Sequence, residues 1–233
     1  MRVAIHQPQY WPWPPYLQKA LAADVFVYLD TVQFSKNGLQ NRNQVKTANG
    51  AAWLTLPVRQ GLGQRLDEVE LADARAPGKH LRTLAAAYAG TPGYLRYREE
   101  LEELLSRPWE RLAELAIAST EWLLGALGAE ARRIRASELA ATGTGSQLVA
   151  AICAELGADE YLSGSGGLAY MERGDFERAG CAVLLQRWQG FEYPQRFSEQ
   201  GFVPDLSALD LVLNAPDEAR ELVAGAGTLE PWA

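Results

Sequence analysis

Two hydrophobic periods divide the chain. Arg2-Val-Ala-Ile-His6 is a short apolar run that predicts a buried strand, and a helical segment follows the loop after it, to about Ala23. Val25-Phe-Val-Tyr-Leu-Asp30 predicts a second strand. Gln44-Val-Lys-Thr and Ala52 to Val58 flank Ala48-Asn49-Gly50, the pattern of a β-hairpin, with Pro57 marking an edge or strand end. Glu68 to Leu71 predicts another short strand. The period then becomes helical from Pro77 to about Gly125: Leu81, Leu84, Ala85 and Tyr88 form one face, and Tyr94 to Leu105 and Trp109 to Leu124 predict two further helices.

Beyond this block, Ala131 to Arg135 predicts a strand, and Gln147 to Leu156 a helix closed by Gly157. Glu160-Tyr-Leu162 and Cys181 to Leu185 predict strands, and Leu206 to Leu213 and Pro216 to Val223 the last helices. Strands alternating with helices at both ends predict an α/β fold, a mostly parallel Rossmann-like sheet flanked by helices, with an inserted β-hairpin and a helical block. The expectation is one domain over residues 1–233, with a helical subregion at 77–126.

Composition narrows the classes. Apolar residues make up 48% of 233, enough for a packed core. A net charge of −7 at pH 7 argues against broad nucleic-acid binding through phosphate neutralisation, although Lys36, Arg42 and Lys46 form a local basic cluster. Two cysteines without a CxxC pair, and two histidines far apart, predict neither a disulfide framework nor a metal site, and no cofactor is expected. Arg2-Val-Ala-Ile is too short for the apolar region of a signal peptide and no run is long enough to span a membrane, so a cytoplasmic location is expected.

The candidate chemistry starts where the strands end. His6 and Asp30 close the first two strands, and in open α/β sheets ligands sit beyond the carboxyl ends of the strands. Histidine exchanges a proton near neutrality, which makes His6 a candidate base, unless it only fixes Tyr10 or Trp13. Asp30 is a candidate to orient that imidazole or bind a substrate amine or hydroxyl, or else caps a segment starting at Thr31. Gln7, Tyr10, Trp13 and Tyr16 lie in the Pro-rich loop after His6, where aromatic faces suit a sugar or nucleobase or lid the sheet edge.

Lys36, Asn41, Arg42 and Asn43 offer donors for a phosphate or carboxylate, or form a solvated loop. His80 is a candidate second base, a phosphate contact or a surface residue. Ser163, Gly164 and Ser165 open the Ser163-Gly-Ser-Gly-Gly167 loop, whose glycines let backbone N–H groups approach an anion, as an ordinary tight turn also does. It matches neither GxGxxG nor the phosphate-loop pattern, and no GxSxG elbow is present.

Several of these segments together resemble the WbqC-like family: His6-Gln7-Pro8-x-Tyr10-x-Pro12-Trp13 with Tyr16, Ala23-Asp24 through Gln33-Phe34, Asn41-Arg42-Asn43, Trp53-Leu54-Thr55-x-Pro57-Val58 and Tyr161-Leu162-Ser163-Gly164. Tyr193-x-Gln195, Phe202-x-Pro204-x-Leu206-Ser207, Asp210-Leu211 and Asn214 are similar to its C-terminal pattern, and Pro15 stands where the family is expected to carry glycine. The resemblance implies a bacterial protein associated with surface-polysaccharide (O-antigen) or natural-product gene clusters. The segment from Tyr10 to Tyr16 also resembles the FxPxHxGH segment of nucleotidylyltransferases, with Trp13 and Tyr16 where those enzymes carry histidines.

The expected function is a transferase that acylates or aminoacylates an amino group of a nucleotide-linked sugar or small metabolite. In this reading His6 deprotonates the amine, Asp30 orients it, Lys36 and Arg42 hold a phosphate, and the Ser163–Gly167 loop closes the anion site. The expected partner is a small molecule, a nucleotide sugar or acyl donor, with tRNA as a conceivable aminoacyl donor. The alternatives are nucleotidyl transfer and a non-catalytic sugar-nucleotide or glycan-binding module.

Overall fold

A computed structural model describes residues 1–232. In chain order the elements are β1 (Arg2–His6), α1 (Pro14–Ala22), β2 (Val25–Tyr28), β3 (Arg42–Thr47), β4 (Gly50–Thr55), β5 (Val58–Arg59), β6 (Glu70–Leu71), α2 (Ala76–Tyr88), α3 (Pro92–Ser106) and α4 (Leu112–Ala126). They continue as β7 (Arg132–Arg135), α5 (Gly145–Leu156), β8 (Glu160–Ser163), α6 (Arg173–Arg178), β9 (Ala182–Trp188), α7 (Ala208–Asn214), α8 (Ala219–Gly225) and β10 (Gly227–Pro231).

The main sheet has six strands in the order β10-β9-β8-β1-β2-β7, all parallel except β10, which pairs antiparallel with β9. The fold is therefore the expected mixed α/β one with a mostly parallel sheet, and the hairpin β3–β4 is a separate two-stranded sheet. Register alternates side chains between two cores. Val3, Ile5, Val25, Val27 and Tyr161 face the layer that holds α5 and α6, while Ala4, Phe26, Tyr28 and Leu162 face the layer of α1, α4 and α7. With helices covering both faces, the central strands read as unbroken apolar runs, which is why they are visible in the sequence.

Some boundaries moved. The second strand stops at Tyr28, two residues before Asp30. Helix α4 begins at Leu112 instead of Trp109, because Glu110 and Leu112 hydrogen-bond across to Leu71 and Val69 and hold that stretch extended. Strand β9 runs on to Trp188 because β10 pairs along it, and β10 has no apolar alternation of its own to announce it. Helix α6 was also not expected.

From β1 the chain moves by α1 to β2, with β7 outermost on that side. Helix α5 then carries it back to β8, on the other side of β1, and β9 continues outward. The strand order thus reverses between β1 and β8, and the carboxyl ends of these two strands, His6 and Ser163, flank the reversal. Such a switch point leaves a crevice, since the connections leaving the two strands part in opposite directions.

Candidate functional site at the switch point

The crevice has two lobes, of about 210 and about 540 Å³. His6, Lys19, Gly164 and Gly166 line both. His6 Nδ1 lies 3.0 Å from the Gln7 carbonyl, which can only accept, so Nδ1 carries the proton and Nε2 is left as a lone-pair acceptor. Tyr16 fixes the imidazole from one side, with ring centroids 4.5 Å apart. Burial first, and then the nearby Lys19 ammonium, push the imidazole down to about 3, so it is neutral at physiological pH.

Lys19 is not among the candidates that the sequence suggests, and neither are Arg187 and Trp188, which also line the larger lobe. Lys19 sits in α1, and its side chain leans back toward the helix N-terminus and the strand ends. Only 5% of it is exposed, yet it makes no hydrogen bond or ion pair among the described residues. Burial pushes the ammonium down to about 7. Neither lobe is lined by an aspartate or glutamate, in a chain whose net charge is −7. In sequence, Gln18-Lys19 reads as the polar face of an amphipathic helix, and only the packing of the β8 and β9 ends over α1 encloses it.

The glycine loop after β8 is shaped for close approach. A Cβ on Gly167 would overlap Ser163 Oγ, and one on Gly164 would lie 3.3 Å from Lys19 Nζ. Ser163 itself is buried and its hydroxyl donates to the Gly164 carbonyl, 3.0 Å. Gly164 and Ser165 line the larger lobe, as do Trp13 and Tyr16, and Gln7 lines the smaller one. Gln7 Oε1 also accepts from Gln40 Nε2, 2.6 Å, which ties the segment after β2 to the end of β1.

The other candidates lie elsewhere. Asp30 is fully buried and turned toward β7: its carboxylate accepts from Arg135 Nε at 2.7 Å, Ser137 N–H at 2.9 Å and Ser137 Oγ at 2.8 Å. It neither bonds His6 nor caps a helix, because no helix starts at Thr31. His80 is buried in α2 with both nitrogens engaged. Nε2–H donates to the Thr55 carbonyl, 3.1 Å, and Nδ1 accepts from Tyr10 OH, 2.8 Å. Burial pushes it down to about 4, and it lines neither lobe. Tyr10 is accordingly a buried partner of His80 and not a crevice wall.

Lys36 is exposed in a shallow depression formed with Gln60 to Gly63, away from the crevice. Asn41 Nδ2 donates to the Leu56 carbonyl at 2.9 Å, and Asn43 Nδ2 to the Trp11 carbonyl at 2.7 Å. Asn43 thereby holds Trp11 in its left-handed conformation (φ 48°), which gives the loop after β1 its turn. Arg42 lies over the Trp53 ring, 4.6 Å to the centroid, and donates to the Asn37 carbonyl, 2.7 Å. These donors build the hairpin and the loop.

The C-terminal pattern converges on a second buried network. Asp210 accepts from Tyr88 OH, from Tyr193 OH at 2.8 Å and from Asn214 Nδ2 at 3.2 Å. Burial raises its carboxyl above the ordinary range. Gln195 is bonded in both directions to the Val203 backbone, 2.9 Å each. These residues lock the segment between β9 and α7 onto the helical block.

The fold is a mixed α/β one with a mostly parallel sheet, and the crevice at its strand-order reversal is lined by a neutral histidine and by a lysine with no partner among the described residues. The chain belongs to the WbqC-like protein family, whose model matches residues 7–222. It is similar to the uncharacterized protein Rv1507c of Mycobacterium tuberculosis (strain ATCC 25618 / H37Rv), 27% identical over 224 residues, 94% of this chain and 96% of that protein. No solved structure matches the chain. Among the described residues, no helix is long and apolar enough to cross a membrane.

Proposed function

We propose that the protein is a cytoplasmic transferase of surface-polysaccharide (O-antigen) or natural-product biosynthesis. It acylates or aminoacylates an amino group on a nucleotide-linked sugar or related small metabolite. The observation that carries this reading is the His6 imidazole, neutral, with its lone pair on Nε2, at the strand end that lines both lobes of the crevice. A neutral amine attacks the acyl carbon, forming the new C–N bond, and the nitrogen becomes strongly acidic in the tetrahedral intermediate. Even a weakly basic imidazole can then take its proton and return it to the donor's sulfur or oxygen, as the bond from that atom to the acyl carbon breaks and the amide is left. An anion bound against Lys19 offsets the charge that helps depress His6, so substrate binding itself makes the imidazole a better base.

Asp30 and His80 have no part in this step, because their hydrogen-bond partners are internal. Nucleotidyl transfer is less well supported, since it calls for carboxylates to help position a divalent metal and neither lobe presents one. The test is turnover on a panel of amino-sugar nucleotides with acyl thioesters or charged tRNA, read as the product's mass increase. His6→Ala is expected to lower kcat by at least about a hundredfold. Its melting temperature should stay within a few degrees of wild type. Equal turnover in the variant, or its collapse to an unfolded chain, would overturn the assignment.

A further inference from the structure

We propose that Lys19 anchors a nucleoside-phosphate site, its ammonium taking a phosphate group while the indoles of Trp13 and Trp188 bound the part of the crevice that takes the ring. The proposal rests on the crevice being the substrate site of the proposed transferase, and it says which part of the substrate binds where.

A lysine that is 5% exposed and has neither carboxylate nor hydrogen-bond acceptor among the described residues is an incomplete arrangement. Buried charges in folded proteins are paired, and an isolated one is costly. The missing partner is an anion, and the protein supplies none, as no acidic side chain lines either lobe. The second cation of the crevice, Arg187, is already paired with Glu230 at 2.9 Å, so Lys19 is left as the unmatched charge. Beside it, Gly164 has no side chain to crowd the ammonium.

The larger lobe also has an aromatic side. Trp13 and Trp188 are both half-buried and line it with Lys19, which sets aromatic surface and a cation with no carboxylate partner in one cavity. Its volume of about 540 Å³ is in the range of small-ligand pockets. Phosphate alone needs no indoles, and a purely apolar ligand leaves Lys19 unpaired. A ring joined to a phosphate satisfies both. A pyrimidine nucleotide sugar and an adenosine-containing acyl donor share this chemistry, and the test separates them.

The experiment is titration calorimetry of the whole chain with ADP, UDP and inorganic pyrophosphate, with quenching of tryptophan fluorescence as a second readout. A nucleoside diphosphate is expected to bind, and Lys19→Met to weaken it by about thirtyfold, the worth of a hydrogen bond to a charged group. Lys79→Met, which removes an exposed lysine paired with Asp73, should change it by less than about twofold. Trp188→Ala should cost about fivefold or more for the nucleotide, at the lower end of base–aromatic stacking, and leave pyrophosphate unaffected. Tighter binding of UDP supports the proposal with a sugar-nucleotide source, and tighter binding of ADP supports it with an adenosine-containing donor.

Undiminished nucleotide binding by Lys19→Met overturns the proposal, as does pyrophosphate binding as tightly as either nucleotide. No heat or quenching up to about 10 mM of either nucleotide does so as well. If Lys19→Met does not fold, Lys19→Gln takes its place under the same criteria. Acyl transfer at full rate in Lys19→Met would overturn this site and leave the His6 reading standing. Nucleotide binding lost in Lys19→Met, in a protein with no acyl turnover on any donor, would do the reverse.

Discussion

Lys19→Met is expected to make the ligand-free protein more stable, the opposite of what removing a structural lysine does. The side chain keeps its length, so the space beside His6 and Gly164 stays filled and only the charge is lost. Burial takes the ammonium from 10.5 to about 7. At about 1.36 kcal/mol per pH unit, less a small correction for its half-ionisation at pH 7, the lysine destabilises the folded state there by roughly 4 kcal/mol. Relaxation of the site reduces the gain, and replacing buried charges with apolar residues typically yields about 1–4 kcal/mol. A rise of at least about 3 °C in melting temperature is therefore expected for a chain of this size.

The pH dependence follows from the same numbers. Between about 7 and 10.5 the unfolded chain holds the Lys19 proton and the folded one does not, so the cost that Lys19 imposes on wild-type stability falls as pH rises across that window. Below about 7 both states hold it and the full cost remains. The groups that line the crevice with Lys19 are His6 from β1, Tyr16 from α1, Tyr161 and Tyr170 around β8, and Arg187 from β9. They are common to both variants and largely cancel in the difference. The gap between Lys19→Met and wild type should thus narrow by up to roughly 2 kcal/mol between pH 7 and pH 9. Urea denaturation of both proteins at the two pH values measures it. A destabilised Lys19→Met, or a gap that does not narrow, would refute the reasoning.

Two further variants separate scaffold from site. Asp30→Ala strands Arg135 and Ser137 and is expected to cost about 2–3 kcal/mol in urea denaturation, while nucleotide affinity stays near wild type; a loss of binding with stability unchanged would put Asp30 in the site. His80→Ala leaves the Tyr10 hydroxyl and the Thr55 carbonyl without their partner and should cost about 2–3 kcal/mol. Its pH–rate profile should keep the wild-type shape, and a shifted profile would contradict the scaffold role. Together with His6→Ala and the nucleotide titrations, these measurements separate the switch-point crevice from the hydrogen-bond networks behind it.

Local order was legible because it is written in short-range pattern. The apolar runs at Val3–Ile5 and Val25–Leu29 are buried on both faces, and the turn chemistry of Asn49-Gly50 and Gly157 stands where the hairpin and α5 end. His6 was identifiable for the same reason, an ionisable residue at the end of an apolar strand. Chain pattern does not carry strand adjacency. That β8 lies beside β1, and β7 beside β2, depends on helices crossing the sheet, and this adjacency creates the switch point. The partners of the polar residues were equally out of reach. Asp30 meets Arg135 105 positions away, and Tyr10 meets His80 70 positions away, so residues suited to catalysis by type became scaffold. Lys19 moved the other way. On an isolated helix it is an ordinary solvated lysine, and it becomes a buried, unpaired cation only when the ends of β8 and β9 close over α1. The sequence by itself determined the elements and the apolar faces they bury, because these follow from neighbours a few residues apart. The tertiary structure alone decided which charges were paired and that Lys19 was buried beside His6 without a partner among the described residues, because desolvation and pairing depend on groups brought together from the whole chain.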